Sequence, residues 1–329
     1  NLLLTEDTSV LIKWFAGQPE RILMMPALST SWQSDGTATV AEMLTAFQNL
    51  GIKEIELSYR ISEAMFQQLK KPLERSELKV VSVHNYFPIP AVRAGTKGSG
   101  DLFLLSSPDD AERQNAIHYT SKTIEYAAEL GAAAVVLHCG VVEMNHEMQM
   151  LYEYVNANHI NSEEAQIFIR KKVKERDRLK TRHMDSLLAS LDRIVPVAEK
   201  QGVVLGLENR YHYHELPGFD DFEIIFDKFR GAPIGYWHDT GHAHANETLG
   251  LIPKNALLKN YAEPLIGVHL HDAVGLDDHL PPGTSEIDFT ALKPFLKAET
   301  AKVMEIKPGI PPSKVSKAIR FIHESLAEA

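Results

Sequence analysis

Eight short apolar segments alternate with helical segments along this 329-residue chain, and this order predicts an α/β fold with a parallel sheet. Two further observations specify the fold. Eight β/α units are the number that closes a barrel, and a chain of this length accommodates one with insertions. Several of the apolar segments also end in His, Asp or Glu. The sequence therefore predicts a (β/α)8 TIM barrel that forms a single domain over residues 1–329.

The predicted strands are short runs rich in Val, Ile and Leu. They span residues 22–26, 54–59, 78–84, 133–138, 203–208, 234–239, 265–271 and 302–306. Helical periodicity is clearest at residues 40–50, 62–73, 109–130, 220–229 and 313–326. Helices in these intervals provide the crossover connections that parallel strands require.

Alternation along three strands predicts which side chains enter the barrel. Successive side chains of a strand point to opposite faces. The outward set is predicted to be Val203, Leu205, Leu207, Ile266, Val268, Leu270, Met304 and Ile306. The inward set is predicted to be Val204, Gly206, Glu208, Gly267, His269, His271, Val303, Glu305 and Lys307. Glu56 is also inward by phase, where it would support a site or form an internal ion pair.

The interval between the fourth and fifth predicted strands is much longer than the others. Residues 162–193 have a helical pattern rich in Lys, Arg and Glu. We interpret residues 141–195 as an extended helical insertion after strand 4. A solvated helical face is its plain interpretation, and a substrate lid or a dimer contact is the alternative. A homo-oligomer therefore stays open.

The composition narrows the classes of function. A formal net charge of −10 disfavours a nucleic-acid partner, because such binding draws on clustered Lys and Arg. The chain contains no apolar run long enough for a membrane span. Its first residues show no evident signal peptide. The single cysteine, Cys139, rules out an internal disulfide framework, so the expected compartment is the cytoplasm.

The residues that carry the chemistry lie at the carboxyl ends of the predicted strands, where TIM barrels place their active sites. They are His84, His138, Glu208, Asp239, His242, His269, Asp277, His279 and Glu305. This mixture of imidazoles and carboxylates suits Zn²⁺, Mn²⁺, Co²⁺ or Fe²⁺ better than Ca²⁺. Because the set is open and varied, we expect a catalytic rather than a structural metal site.

Each of these residues also has a plain structural interpretation. A single strand-end histidine is commonly a hydrogen-bonded structural residue. Residues 239–242 form a capped turn under this interpretation, and residues 277–279 a solvated loop. Glu208 and Glu305 are harder to explain in this way, since each directly follows a run of apolar residues and needs a cation beside it.

Four segments resemble the xylose isomerase-like TIM-barrel superfamily. They are LGLEN, HDTGHAHA, GVHLHDAVGLDDHLPPGTSEIDF and VMEIKP. The superfamily holds sugar isomerases and epimerases, inosose dehydratases and the endonuclease IV type of abasic-site nuclease. In its ketose epimerase branch, one divalent metal has four ligands, which fall on Glu208, Asp239, His269 and Glu305. The two glutamates there also move protons, and a histidine at the position of His242 contacts substrate oxygens.

The endonuclease IV branch provides the competing interpretation. It holds three zinc ions on nine ligands, and all nine positions are occupied here, the remaining five being His84, His138, His242, Asp277 and His279. Two features weigh against the nuclease. The nuclease has a small, Gly-containing loop after its strand-end glutamate, whereas residues 209–217 here are bulky, and the chain is acidic. Tyr86 and Phe87 could serve as wedges in a duplex, line a sugar pocket or pack internally.

The resemblance thus implies a metal-dependent isomerase or epimerase of a sugar, sugar phosphate or inosose, active in carbohydrate metabolism. Glu208 and Glu305 are the expected acid and base, and the expected substrate contacts are His138, Arg210, His242 and Lys307. For Arg210 and Lys307, a salt bridge to a ligand carboxylate is the alternative. Two other activities stay open, an inosose dehydratase-type lyase and a trinuclear zinc phosphodiesterase acting on abasic DNA.

Overall fold

The strands form one closed parallel barrel in the computed structural model, which describes residues 25–34 and 38–327. In chain order, the barrel strands are β1 (Ala27–Ser29), β2 (Glu54–Leu57), β3 (Lys79–His84), β4 (Ala134–Leu137), β5 (Val204–Glu208), β6 (Ile234–Asp239), β7 (Leu265–Leu270) and β10 (Ala301–Met304). Their order around the barrel is β1-β10-β7-β6-β5-β4-β3-β2. The predicted (β/α)8 barrel is confirmed.

Helices follow most of the strands and cover the outside of the barrel. They are α1 (Val40–Asn49), α2 (Glu63–Glu74), α3 (Asp110–Glu129), α4 (Met148–Asn156), α5 (Glu163–Gln201), α6 (Asp221–Lys228), α7 (Thr240–Thr248), α8 (Ala256–Tyr261) and α9 (Pro312–Leu326). A two-stranded ribbon, β8 (Asp272–Val274) with β9 (Asp277–Leu280), rises from the end of β7. None of the helices in the described part of the chain is long and apolar enough to cross a membrane.

The first strand lies later in the chain than its predicted position at residues 22–26. Residues 22–24 lie outside the described part, and Met25 and Pro26 precede the strand, which begins at Ala27. The strand itself consists of one alanine, one leucine and one serine, so it lacks the aliphatic signature used for the other strands. Pairing with β2 and β10 on both sides determines its conformation instead.

Apolar side chains fill the lower part of the barrel, and the polar site lies above them. This interior cluster is formed by Ala27, Val81, Ala134, Val136, Val204, Trp237, Ile266, Ala301 and Val303. The Trp237 ring needs the space left by two glycines on neighbouring strands. A Cβ added at Gly267 would lie 2.2 Å from the Trp237 ring, and one at Gly206 would lie 2.9 Å from it. The indole therefore forms the floor beneath the polar residues.

The predicted outward orientation of Ile266 is wrong. Ile266 packs in the interior cluster, while Val268 and Leu270 pack against the helices as predicted. The cause is a register shift between β6 and β7. Tyr236 pairs with Leu265 and Trp237 pairs with Gly267, which leaves Ile266 as an extra residue. Such a bulge interrupts strict alternation and bends the strand.

Two helices fill the long interval between β4 and β5. Helix α5 begins at the N-cap Ser162, whose side chain accepts a hydrogen bond from the Ala165 N–H, and ends at Gly202 in the left-handed region. It extends beyond the predicted 162–193 and packs against α3. Helix α4 and the start of α5 share a small core with Tyr213 and Leu249. The predicted helical insertion after strand 4 is confirmed.

Candidate metal centre

Four acidic and imidazole side chains converge at the carboxyl end of the barrel. Glu208 ends β5, Asp239 ends β6, His269 lies near the end of β7, and Glu305 follows β10. All four are at least 97% buried, and one donor atom from each lies within 4.8 Å of the others. Nδ1 of His269 is 2.9 Å from Glu208 Oε1, 3.2 Å from Glu305 Oε2 and 3.7 Å from Asp239 Oδ2.

Two further groups share members with this central one. Glu208 also belongs to a group with His84 and His138, and Asp239 belongs to one with His242 and His279. In the first of these, Nε2 of His138 is 3.0 Å and Nε2 of His84 is 3.3 Å from Glu208 Oε2. The three groups are therefore linked, because each flanking group shares one carboxylate with the central group.

Asp277, which the sequence offered as a further possible ligand, lies outside these groups. Its carboxylate binds Lys307 Nζ at 2.9 and 3.1 Å, and its side chain is 66% exposed. The next residue, Asp278, approaches the cluster instead, with Oδ1 3.0 Å from Nδ1 of His279 and Oδ2 3.9 Å from Nε2 of His242. Asp277 and Asp278 therefore face different sides of the ribbon. His279 joins Asp278 at the cluster because its φ of 55° breaks the regular alternation of the strand.

The donor set fits a divalent cation. Glu208 Oε2 is buried and accepts no hydrogen bond in the described part of the chain, even though two imidazole nitrogens lie within 3.3 Å of it. Glu56 places another buried carboxylate below His269, with Oε2 3.1 Å from Nε2 of that ring and 2.8 Å from Ser82 Oγ. Mixed carboxylate and imidazole ligands are those that first-row divalent metals prefer.

Electrostatics also favour ionised carboxylates at this centre. Burial would raise the pKa of Glu208, but the positive charge of His269 and contacts with His138 hold it well below its usual range. Burial would lower the pKa of His269, whereas Glu56, Glu305 and Glu208 raise it well above its usual range. The carboxylates thus require positive charge next to them, which a metal cation can supply in place of protonated imidazoles.

Nε2 of His138 faces Glu208, and its other ring nitrogen, Nδ1, contacts the carboxylate of Asp101. Histidines that bind metals commonly have such a carboxylate on the ring nitrogen that does not face the metal. Asp101 Oδ2 lies 2.9 Å from Nδ1 of His138, and Arg210 Nη2 donates to the same oxygen at 2.8 Å. Burial and Arg210 would lower the pKa of His138, but Asp101 and Glu208 raise it to about 9. Arg210 also lies 3.2 Å from Glu215 Oε1. Arg210 is therefore paired with two carboxylates that lie outside the donor groups, and Lys307 is paired with Asp277, which also lies outside them.

Tyr86 and Phe87 are fully buried, which removes the duplex-wedge interpretation. The Tyr86 hydroxyl donates to the Phe103 carbonyl at 2.7 Å, and Phe87 packs edge-on against Phe66. Both aromatic rings therefore belong to the packing between β3, α2 and the loop before α3. Because they are buried, neither ring is available for the insertion between bases by which apolar wedges kink DNA.

Three residues that support the candidate ligands were not among the site residues predicted from the sequence: Asp101, Asn209 and His271. Asn209 Oδ1 accepts the Asp239 N–H at 2.7 Å, and its Nδ2 donates to the Asp239 carbonyl at 3.0 Å. His271 Nε2 is 2.8 Å from Asp239 Oδ2. The strand phase of His271 was a usable signal for its approach to the site. Asp101 offered none, because a long irregular loop brings it to His138.

Known proteins share this architecture. A family model described as a xylose isomerase-like TIM barrel matches residues 44–324. Uncharacterized protein MJ1311 of Methanocaldococcus jannaschii is 33% identical over 119 residues, which cover 35% of this chain and 39% of that protein. The chain therefore aligns with about two fifths of the length of that relative.

Solved structures resemble the whole described barrel. A D-tagatose 3-epimerase-like protein superposes with a TM-score of 0.63 at 19% identity, covering 92% of this chain and 97% of that one. The TTHB071 protein from Thermus thermophilus, soaked with ZnCl2, gives a TM-score of 0.54 at 21% identity, covering 92% of this chain and 99% of that one. At these identities, the likeness establishes the fold.

Proposed function

Because the chain belongs to the xylose isomerase-like TIM-barrel family, we propose that it is a divalent-metal-dependent isomerase or epimerase of a sugar or sugar-like polyol. One observation carries the proposal. The four central residues come from β5, β6, β7 and the end of β10, which are consecutive neighbours around the barrel. Glu208 and Glu305 stand at the two ends of this arc, with Asp239 and His269 between them. Two carboxylates can then approach one carbon from different sides.

The proposed reaction is a proton transfer next to a carbonyl group. Glu208, Asp239, His269 and Glu305 would hold the metal, which supplies Lewis-acid stabilisation of developing negative charge on substrate oxygens. One glutamate removes the C–H proton, and the electron pair moves to the carbonyl to give an enediolate. The other glutamate returns a proton to the opposite face in an epimerisation, or to the neighbouring carbon in an isomerisation. His242, His138 and Arg210 are proposed to contact substrate hydroxyls.

Two findings support a small polyol as the substrate. One of the solved structures that superpose along the barrel is described as D-tagatose 3-epimerase-like. The mouth of this barrel also brings together many imidazoles and carboxylates, which can bond to several hydroxyl groups at once. The same proton abstraction could precede loss of a β-hydroxyl, so a dehydratase of inosose type belongs to the proposal as a variant. We propose a cytoplasmic enzyme with no membrane partner.

Deuterium incorporation across a panel of ketoses, inososes and sugar phosphates tests this proposal directly. The metal-loaded protein in D₂O should exchange one carbon-bound hydrogen of its substrate, measured by NMR or mass spectrometry. A heat-denatured sample and a metal-depleted sample are the controls. Exchange accompanied by a new epimer or isomer supports the isomerase, and exchange accompanied by water loss identifies the dehydratase. Absence of exchange across the panel would contradict the proposal.

The three linked donor groups favour a second candidate, a trinuclear zinc phosphodiesterase acting on abasic DNA.

We expect metal analysis of the purified protein to give one tightly bound ion per polypeptide. Among the donor groups of the described residues, only the central one is fully buried and carries four donors. An oligonucleotide with one abasic site should remain intact. Three ions per chain together with incision at the abasic site would overturn the isomerase proposal. An undamaged oligonucleotide of the same sequence controls for contaminating nucleases.

A further inference from the structure

We propose that His271 is a positioning residue that fixes the orientation of the Asp239 carboxylate and of the His279 backbone at the metal centre. This inference rests on the proposed metal site. His271 follows β7 and belongs to none of the three donor groups, yet its ring is fully buried beside two of them. Its two ring nitrogens contact different elements, Asp239 at the end of β6 and His279 on the ribbon.

The hydrogen bonds of His271 define which nitrogen carries the proton. The backbone N–H of His279 donates to Nδ1 of His271 at 2.9 Å. A nitrogen that accepts a hydrogen bond is unprotonated, so in the neutral ring the proton lies on Nε2. Nε2 then donates to Asp239 Oδ2, which is 2.8 Å away. The ring therefore acts as an acceptor toward the ribbon and as a donor toward the ligand carboxylate.

This bond completes the support of Asp239. Its Oδ1 accepts the His242 N–H at 2.7 Å as the N-cap of α7, and its Oδ2 accepts from His271. With both oxygens restrained, the carboxylate has one orientation, in which Oδ2 lies 3.7 Å from Nδ1 of His269. Hydrogen bonds of this kind orient metal ligands and strengthen metal binding.

His271 also restrains the ribbon. The rings of His271 and His279 stack with centroids 4.1 Å apart and an interplanar angle of 12°. His279 has a φ of 55°, in the left-handed region that a non-glycine residue seldom adopts without external support. Its N–H binds His271, and its carbonyl accepts the Lys307 N–H at 3.0 Å. The His279 side chain is thereby held against the group that it shares with Asp239 and His242.

The surrounding structure keeps the His271 ring in this position. Thr240 Oγ1 donates to the His271 carbonyl at 2.7 Å and accepts the His271 N–H at 3.1 Å. Gly241 lies against the ring, where an added Cβ would be 2.2 Å from Cε1 of His271. In the segment 239–242, Asp239 is a proposed metal ligand and Thr240 bonds to the backbone of His271. Gly241 leaves space for the His271 ring, and His242 belongs to a further donor group.

Two substitutions separate the roles of the two nitrogens. In His271→Asn, the amide can reach the position of Nδ1 and accept the His279 N–H, but it cannot reach Asp239. In His271→Gln, the amide reaches the position of Nε2 and can donate to Asp239. We expect the affinity of metal-depleted protein for Zn²⁺, measured against a competing chelator, to fall about 10- to 100-fold in His271→Asn. His271→Gln should recover most of that loss, and Co²⁺ absorption should report the same coordination as wild type.

The outcomes distinguish this inference from the proposed function. Wild-type affinity in His271→Asn, or an equal loss in both variants, would overturn the role of His271. A wild-type protein that binds no divalent ion would refute the metal centre itself. Thermal unfolding of each variant checks that it folds. Should His271→Asn not fold, Gly241→Ala replaces it, because its Cβ displaces the ring and should lower Zn²⁺ affinity similarly. Unchanged affinity in that variant also contradicts the inference.

Discussion

Replacing Glu208 by Gln should reduce deuterium exchange at the substrate carbon by about 10²- to 10⁴-fold, the range that a general acid or base contributes. The amide cannot accept the proton, while its size and shape are nearly unchanged. Glu208 also belongs to both the central group and the group with His84 and His138. Metal content must therefore be measured alongside exchange, so that a lost base is distinguished from a lost ion.

The two epimers of the substrate provide a sharper test. If Glu208 and Glu305 act on opposite faces, Glu208→Gln should block exchange when the reaction starts from one epimer. Glu305→Gln should block it when the reaction starts from the other. Glu324→Gln, on α9 at the outside of the barrel, is the matched control and should retain wild-type rates. Exchange at the wild-type rate in metal-loaded Glu208→Gln would exclude the proposed acid–base role.

Periodicity was sufficient to predict the barrel and the inward direction of its carboxylates. Val203, Leu205 and Leu207 pack against the outer helices, so Glu208 points inward as the alternation required. This works because regular strand geometry alternates faces at every residue. It failed at Ile266, where a bulge inserts one residue into β7. Nothing in the local sequence marks that insertion, because it depends on pairing with a neighbouring strand.

The same contrast between regular and irregular segments applies to the site residues. Residues at strand ends, such as His84 and His269, could be placed from the strand pattern alone. Residues on irregular segments could not. The ribbon orients Asp278 rather than Asp277 toward the cluster, and a long loop carries Asp101 to His138. Loop conformation is determined by tertiary contacts rather than by periodicity, and so the supporting residues became visible only in the folded structure.

A buried ion pair connects α5 to the base of the loop that follows β5. Asp221, which is 1% exposed, accepts hydrogen bonds from Arg176 Nη2 at 2.5 Å and from Lys180 Nζ at 3.0 Å. Arg176 Nη2 also donates to the Glu215 carbonyl at 3.0 Å. The insertion is thereby joined to the segment that carries Arg210. Burial would raise the pKa of Asp221, but Arg176 and Lys180 hold it below its usual range.

Replacing Asp221 by Asn should therefore lower the free energy of unfolding by about 3–5 kcal/mol, because it removes the buried counter-charge of the Arg176 guanidinium and leaves only the exposed Asp177 at 3.9 Å. Urea unfolding at neutral pH measures this loss. Asp192→Asn is the matched control, since Asp192 pairs with Lys228 at an exposed position, where about 0–1 kcal/mol is expected. Equal losses of unfolding free energy in the two variants would show that the buried ion pair stabilises the protein no more than the exposed pair does.

The pH dependence of the same pair has a defined sign. The pKa of Asp221 is lower in the folded than in the unfolded protein. The ionised carboxylate therefore contributes its full stabilisation at pH values above the unfolded pKa of about 3.9. This stabilisation is lost as the pH falls through the lower pKa of the folded protein. The stability difference between wild type and Asp221→Asn should stay constant from neutral pH to about pH 5. It should narrow below about pH 4, because protonation of Asp221 then removes the same charge as the substitution. A difference that instead persists undiminished into acid would mean that steric fit, rather than charge, holds α5 against the barrel.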